Sequence, residues 1–149
     1  MSAIVVGYVP KPEGRAALRR AAEEAKLRGV RLVVVHSEHT GAGADGPEQP
    51  NAELDLVRKQ LGDAGIDAEV RPSAPDVDVA EDLIAAAENS GADFIVIGLR
   101  RRSPVGKLIL GSNAQRILLD APCPVLAVKA EDADDRVGEV ARENRGGTT

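Results

Sequence analysis

Phe94-Ile95-Val96-Ile97-Gly98 decides the fold, read together with Gly111-Ser112-Asn113-Ala114-Gln115-Arg116-Ile117-Leu118 and Ala121-Pro122-Cys123-Pro124-Val125-Leu126-Ala127-Val128. The first and last runs are continuously apolar, as strands covered on both faces are in parallel sheets. Ser112 opens a helical stretch and has, with Gln115, the spacing of a capping box. Ala121-Pro122 ends that helix. The unit is therefore buried strand, basic loop, helix, buried strand. A loop between a strand's carboxyl end and a helix's amino end is where α/β proteins bind anions.

The same alternation runs upstream. Ala3-Ile4-Val5-Val6-Gly7-Tyr8-Val9 is a first buried strand, broken by Pro10-Lys11-Pro12. A helix is expected from about Glu13 to Arg28, with Ala17, Leu18, Ala21, Ala22 and Ala25 on one face and Gly29 as its stop. Arg31 to His36 carries the second strand. Ser37 to Pro50, rich in Gly, Pro and Asp, reads as a surface loop. Asn51 caps a helix to Ala64. Asp67 to Arg71 is a short polar strand suited to a sheet edge. Asp76 or Asp78 caps a third helix that Gly91 closes. From Ala130 the chain is acidic and then rich in Arg, Glu and Gly, which predicts a flexible tail.

This βαβαβαβαβ order requires crossover helices and a parallel sheet. The expected fold is α/β, a single doubly wound five-stranded sheet with helices on both faces. Residues 1–130 form the domain and 131–149 the tail. Ligands in such sheets sit beyond the carboxyl ends of the strands.

The composition narrows the function. Aromatics are 1% of the chain and Trp is absent, which disfavours single-stranded nucleic-acid binding by base stacking. Net charge is −5, so nothing draws the whole molecule to nucleic acid or anionic membrane. One cysteine excludes an intrachain disulfide and fits a cytoplasmic protein. No apolar run approaches the roughly 20 residues of a membrane span, and Met1-Ser2-Ala3-Ile4 shows no basic leader.

Three features of the loop favour an anion. Gly98 lets backbone approach a ligand without a Cβ. The amides of Ser112, Asn113 and Ala114 open a helix and lack helical partners. Arg100, Arg101, Arg102 and Lys107 add positive charge. The helix dipole contributes about 0.3–1 kcal/mol, so charge-assisted hydrogen bonds of about 1.5–3 kcal/mol each must supply the rest. The plainer alternative makes Gly98 and Gly111 structural glycines and the arginines a solvated patch. Gly106-Lys107 is not a P-loop: Leu108 stands where Ser or Thr must hold magnesium, and Arg101 stands where its first Gly belongs. No G-x-G-x-x-G follows the first strand.

The three quoted blocks, with Ile4-Val5-Val6-Gly7 and Arg15-Ala16-Ala17-Leu18, resemble the universal stress protein family over about residues 3–129. The resemblance implies strand order 3-2-1-4-5 and a homodimer paired through the last strand, Val125, Leu126, Ala127 and Val128. It also implies an ATP or other adenine-nucleotide site of pattern G-x2-G-x9-G-[S/T], matched here by Gly98, Gly111 and Ser112, with Asn113 beside them. Arg101 occupies the second glycine position. Val9-Pro10-Lys11 stands where nucleotide-binding members carry an Asp-Gly-Ser-like segment, so Val9 replaces an acidic contact. The backbone at Val35 and His36 faces the same edge, where adenine would lie. The expected function is a non-enzymatic, nucleotide-responsive module in stress adaptation. The alternative is a member that has lost nucleotide and works as a dimeric interaction protein.

Other residues point to structure. His36 and His39 around Glu38 lack a third convergent metal ligand. Cys123 between two prolines suits a small residue in a turn. Asp76 and Asp78 are better helix caps than catalytic carboxylates. Arg100 to Arg102 make a weak case for nucleic acid in an acidic domain.

Overall fold

Successive side chains of a strand point to opposite faces, so the continuous apolar runs bury both faces of the central strands. The computed structural model describes residues 2–36, 48–73, 78–99 and 110–130. The basic segment with Arg100, Arg101, Arg102 and Lys107, the pair Glu38 and His39, Asp76, and the tail 131–149 lie outside the described residues.

The elements are β1 (Ala3–Tyr8), α1 (Pro12–Arg28), β2 (Arg31–His36), α2 (Glu48–Asp63), β3 (Ala68–Pro72), α3 (Val79–Ser90), β4 (Ala92–Leu99), α4 (Ser112–Asp120) and β5 (Val125–Lys129). All strands are parallel, in the order β3-β2-β1-β4-β5. The polar strand β3 lies at an edge, as its composition implies. Alternate residues serve two cores. Ile4, Val6, Leu32 and Val34 meet α1 and α2 on one face. Val5, Val33, Val35, Ile95 and Ile97 meet α3 and α4 on the other. Among the described residues, no helix is long and apolar enough to cross a membrane.

Three local expectations need correction. Helix α2 starts at Glu48, so Asn51 lies inside its first turn instead of capping it. Pro50 does not prevent this, because the first helical amides have no acceptor in the helix to lose. The capping box does not form: Gly111 is the N-cap of α4, without a side-chain hydrogen bond. Gln115 instead turns its Nε2 to the Leu110 carbonyl at 3.2 Å. Strand β4 begins at Ala92, two residues before the apolar run. Helix α3 is capped by Asp78, whose carboxylate accepts the Ala80 amide at 2.8 Å. Gly29 and Gly91 end α1 and α3 in the left-handed region, at φ 69° and 65°, where a Cβ is penalised.

Among the described glycines, those at the entry of α1 meet the closest backbone. Pro12 takes the first helical position, where its missing N–H costs nothing. A Cβ on Gly14 would lie 1.9 Å from the Val9 carbonyl oxygen, and a Cβ on Gly98 would lie 2.1 Å from that of Glu13. Both glycines are demanded by close backbone approach, not by their dihedral angles.

Ala normally improves a helix interior over Gly by about 0.5–1 kcal/mol. Gly14→Ala is expected to reverse that sign and destabilise the protein by about 3 kcal/mol or more, because the obstacle is backbone. Gly62→Ala, with no described atom within 4 Å of its Cβ, is expected to stabilise by about 0.5 kcal/mol or more. Urea unfolding of both variants checks the pair.

Candidate functional site

The carboxyl ends of β1 and β4 and the start of α4 meet at one edge of the sheet. Tyr8 ends β1 and is 2% exposed. The chain then turns sharply, with the Lys11 amide donating to the Val9 carbonyl at 2.7 Å. Val9 is half-buried. The carbonyl of Val9 is therefore occupied twice over, by the Lys11 amide and by the close pass of Gly14.

Gly98 is also half-buried and pairs in register with Val128. The space opened by its missing Cβ is filled by the Glu13 carbonyl. That space admits helix α1. Gly111 differs. Its φ of −75° is ordinary for any residue, and no described atom lies within 4 Å of the position its Cβ would take. Nothing described in the fold requires a glycine there. Gly111, Ser112 and Asn113 are all exposed. The first bond of α4 runs from the Gln115 amide to the Gly111 carbonyl at 3.0 Å, which leaves the three amides before it without helical acceptors.

Val35 is 1% exposed and packs into the α3–α4 core, so only its backbone faces the sheet edge. His36 is equally buried and its carbonyl accepts the Ser73 amide at 2.7 Å. Its ring lies 5.6 Å from that of Tyr8, tilted by 41°. Val9, Gly98, Gly111, Ser112, Asn113 and Val35 lie toward the carboxyl side of the sheet, while Arg101 lies outside the described residues.

Arg116, four residues into α4, ties that helix to α3. Its guanidinium contacts Glu81 at 2.7 Å, Asp120 at 3.2 Å and Asp78 at 3.6 Å. Asp78 is also the cap of α3, so one arginine ties the middle of α4 to the start of α3. These pairs are solvent-exposed and orient more than they stabilise. Burial, followed by the charge of Asp93, pushes the Cys123 thiol up, the reverse of what a reactive thiolate needs. Among the described residues, no three His, Cys, Asp or Glu side chains come together as a metal site would require.

Two features were not readable in the sequence. One is Gly14, whose role depends on where the Val9 carbonyl sits. The other is the hydrogen bond from the Tyr8 hydroxyl to the Glu53 carboxylate. The two residues are 45 positions apart, and only the single tyrosine at a strand end hinted at a special environment.

A five-stranded doubly wound sheet with an open helix start at its carboxyl edge defines a class of α/β binding domains. The chain belongs to the universal stress protein family, whose model matches residues 1–129. It is 45% identical over 126 residues to a universal stress protein of Mycolicibacterium smegmatis, covering 85% of this chain and 96% of that protein. Its structure is similar to that of a universal stress protein from Archaeoglobus fulgidus, with a TM-score of 0.67 and 34% identity over 87% of this chain and 98% of the other. A structure of the Archaeoglobus fulgidus universal stress protein in complex with dAMP matches with a TM-score of 0.62 at 28% identity, over 87% and 98% of the two chains.

Tyr8 supplies a test of the local electrostatics. Burial first, and then the hydrogen bond to Glu53, raise its phenol well above the ordinary value of about 10. The neutral phenol is thus favoured in the folded state. Its contribution to stability is complete below pH 10 and is lost as pH rises beyond it. Absorbance titration of this single tyrosine is expected to show no phenolate near pH 10 until the protein unfolds. Glu53→Gln is expected to lower the midpoint without restoring the ordinary value, since burial is the larger cause.

Proposed function

We propose that this chain is a non-enzymatic, adenine-nucleotide-responsive binding module that works in the cytoplasm as a homodimer in stress adaptation. The observation that carries the reading is the start of α4. Gly111 is exposed and sterically unneeded, and it precedes three amides without helical acceptors, an arrangement suited to a phosphate. Family membership and the dAMP complex of the Archaeoglobus fulgidus relative support it. In this reading Gly111, Ser112 and Asn113 hold phosphate. Gly98 keeps α1 and β4 together beneath them, and the backbone at Val35 and the flank at Val9 border the base and sugar. Arg101 adds a guanidinium from the adjoining segment. AMP, ATP and cyclic AMP share the groups this edge would recognise.

A second reading is favoured by the Val9 side of the edge. Val9 offers no carboxylate for a ribose, and the missing Cβ of Gly98 is used by α1. A member with this half closed would act through its dimer alone. The dimer would form across β5, at Val125, Leu126, Ala127 and Val128. Strand β5 is the other edge of the sheet. Leu118 and Leu119 on α4 are 42% and 82% exposed just before it in the chain. The Ala130 amide donates to the Leu99 carbonyl, so by alternation the Ala127 amide points away from β4.

Calorimetric titration with AMP, ATP and cyclic AMP, with and without magnesium, is expected to show micromolar to submillimolar binding. Gly111→Val is expected to weaken it at least tenfold, or about 1.4 kcal/mol, without lowering thermal stability. No heat and no thermal shift at millimolar nucleotide would leave the second reading. Ala127→Pro removes an outward donor from an edge strand, where proline is tolerated. Sedimentation is expected to convert from dimer to monomer in that variant; a dimer that persists places the interface elsewhere.

A further inference from the structure

We infer that Arg58 closes the β3 edge of the sheet to strand pairing with a second copy of this chain. The edge in question lies opposite β5, and the inference does not depend on the nucleotide reading. An edge strand presents a row of unpaired N–H and C=O groups on which another chain can add a strand. Two hydrogen bonds show which groups these are on β3. The Leu32 amide donates to the Asp67 carbonyl at 2.9 Å, and the Ser73 amide donates to the His36 carbonyl at 2.7 Å. Positions 67 and 73 therefore face β2, and by alternation so do 69 and 71. Ala68, Val70 and Pro72 turn their backbone groups outward.

That row is broken at Val70 and at Pro72. Pro72 has no N–H to offer. The Val70 carbonyl accepts a hydrogen bond from Arg58 Nη2 at 2.9 Å, reaching over from α2. A second bond, from Arg58 Nη1 to the Asp55 carboxylate at 2.8 Å, holds the guanidinium in place. Helix α2 can present it there because Leu54, Val57 and Leu61 seat the helix in the same core as Val70. Arginine suits the task, since its fork serves two acceptors at once and its charge strengthens the bond to the carbonyl. A carbonyl at a sheet edge can be satisfied by water alone. What the arginine adds is obstruction. The β5 edge is built differently. The Ile95 amide donates to the Pro124 carbonyl and the Ala130 amide to that of Leu99. Val125, Ala127 and Lys129 therefore turn outward, with no proline among them. Strand pairing between copies is thus steered away from β3.

Sedimentation of the full chain over a range of concentrations tests this. Arg58→Met keeps the apolar stem of the side chain and removes its donors, and Arg58→Ala removes both. Each is expected to keep its thermal transition and to form species larger than the unaltered protein, growing with concentration. Adding Ala68→Pro, which removes an outward donor where an edge strand tolerates proline, is expected to restore the original mass. In the associated Arg58→Met protein the Ala68 and Val70 amides are expected to gain protection from hydrogen exchange. Unchanged mass in both Arg58 variants at every concentration would overturn the proposal. So would growth that persists with Ala68→Pro, or growth that leaves the exchange of those two amides as it was. Should the unaltered protein sediment as a monomer, the dimer reading alone fails, and Arg58→Met is expected to form a dimer through β3.

Discussion

The contact of α1's first turn with the ends of β1 and β4 governs the rest of the structure. Two backbone segments approach so closely that Gly14 and Gly98 have no room for a Cβ. Close packing of this kind has no soft alternative, because the obstructing atoms are carbonyls instead of rotatable side chains. It fixes the direction in which α1 leaves β1. It thereby sets how α1 lies across β1, β2, β4 and β5. It also closes one half of the carboxyl edge.

The two halves of that edge therefore serve different ends. The β1 side is used internally: the Val9 carbonyl takes the Lys11 amide, and the Gly98 gap takes Glu13. The α4 side is open, with Gly111 unconstrained and the following amides exposed. An anion site built on α4 alone draws on dipole and amides, and gains its affinity from added charge. Arg116 matters here because it anchors α4 to the capped start of α3 through Asp78 and Glu81. A nine-residue helix with one buried side chain, Ile117, otherwise has little to fix its angle.

Much of the fold was legible in the residues. Apolar runs such as Ile4–Val6 and Ile95–Ile97 announce strands covered on both sides. Gly29 and Gly91 mark helix stops, and the polarity of β3 marks an edge. These signals are local, and local chemistry suffices for them. Gly98 was less transparent. Its place at a strand end suited a ligand's approach, yet the space it leaves holds the carbonyl of Glu13, from a helix at the other end of the domain sequence. The cap of α4 was misread for a related reason: Gln115 found the Leu110 carbonyl instead of closing a box with Ser112. The Tyr8–Glu53 pair depends on how distant elements are set, which no spacing in the sequence records.

The central claim is that the start of α4 holds the phosphate of an adenine nucleotide, and the most direct measurement follows backbone amides of the 15N-labelled chain during titration with AMP. Phosphate held there predicts saturable shifts centred on Gly111, Ser112 and Asn113, with adenosine producing none of them. Shifts absent at millimolar AMP, or equal shifts with adenosine, would contradict it.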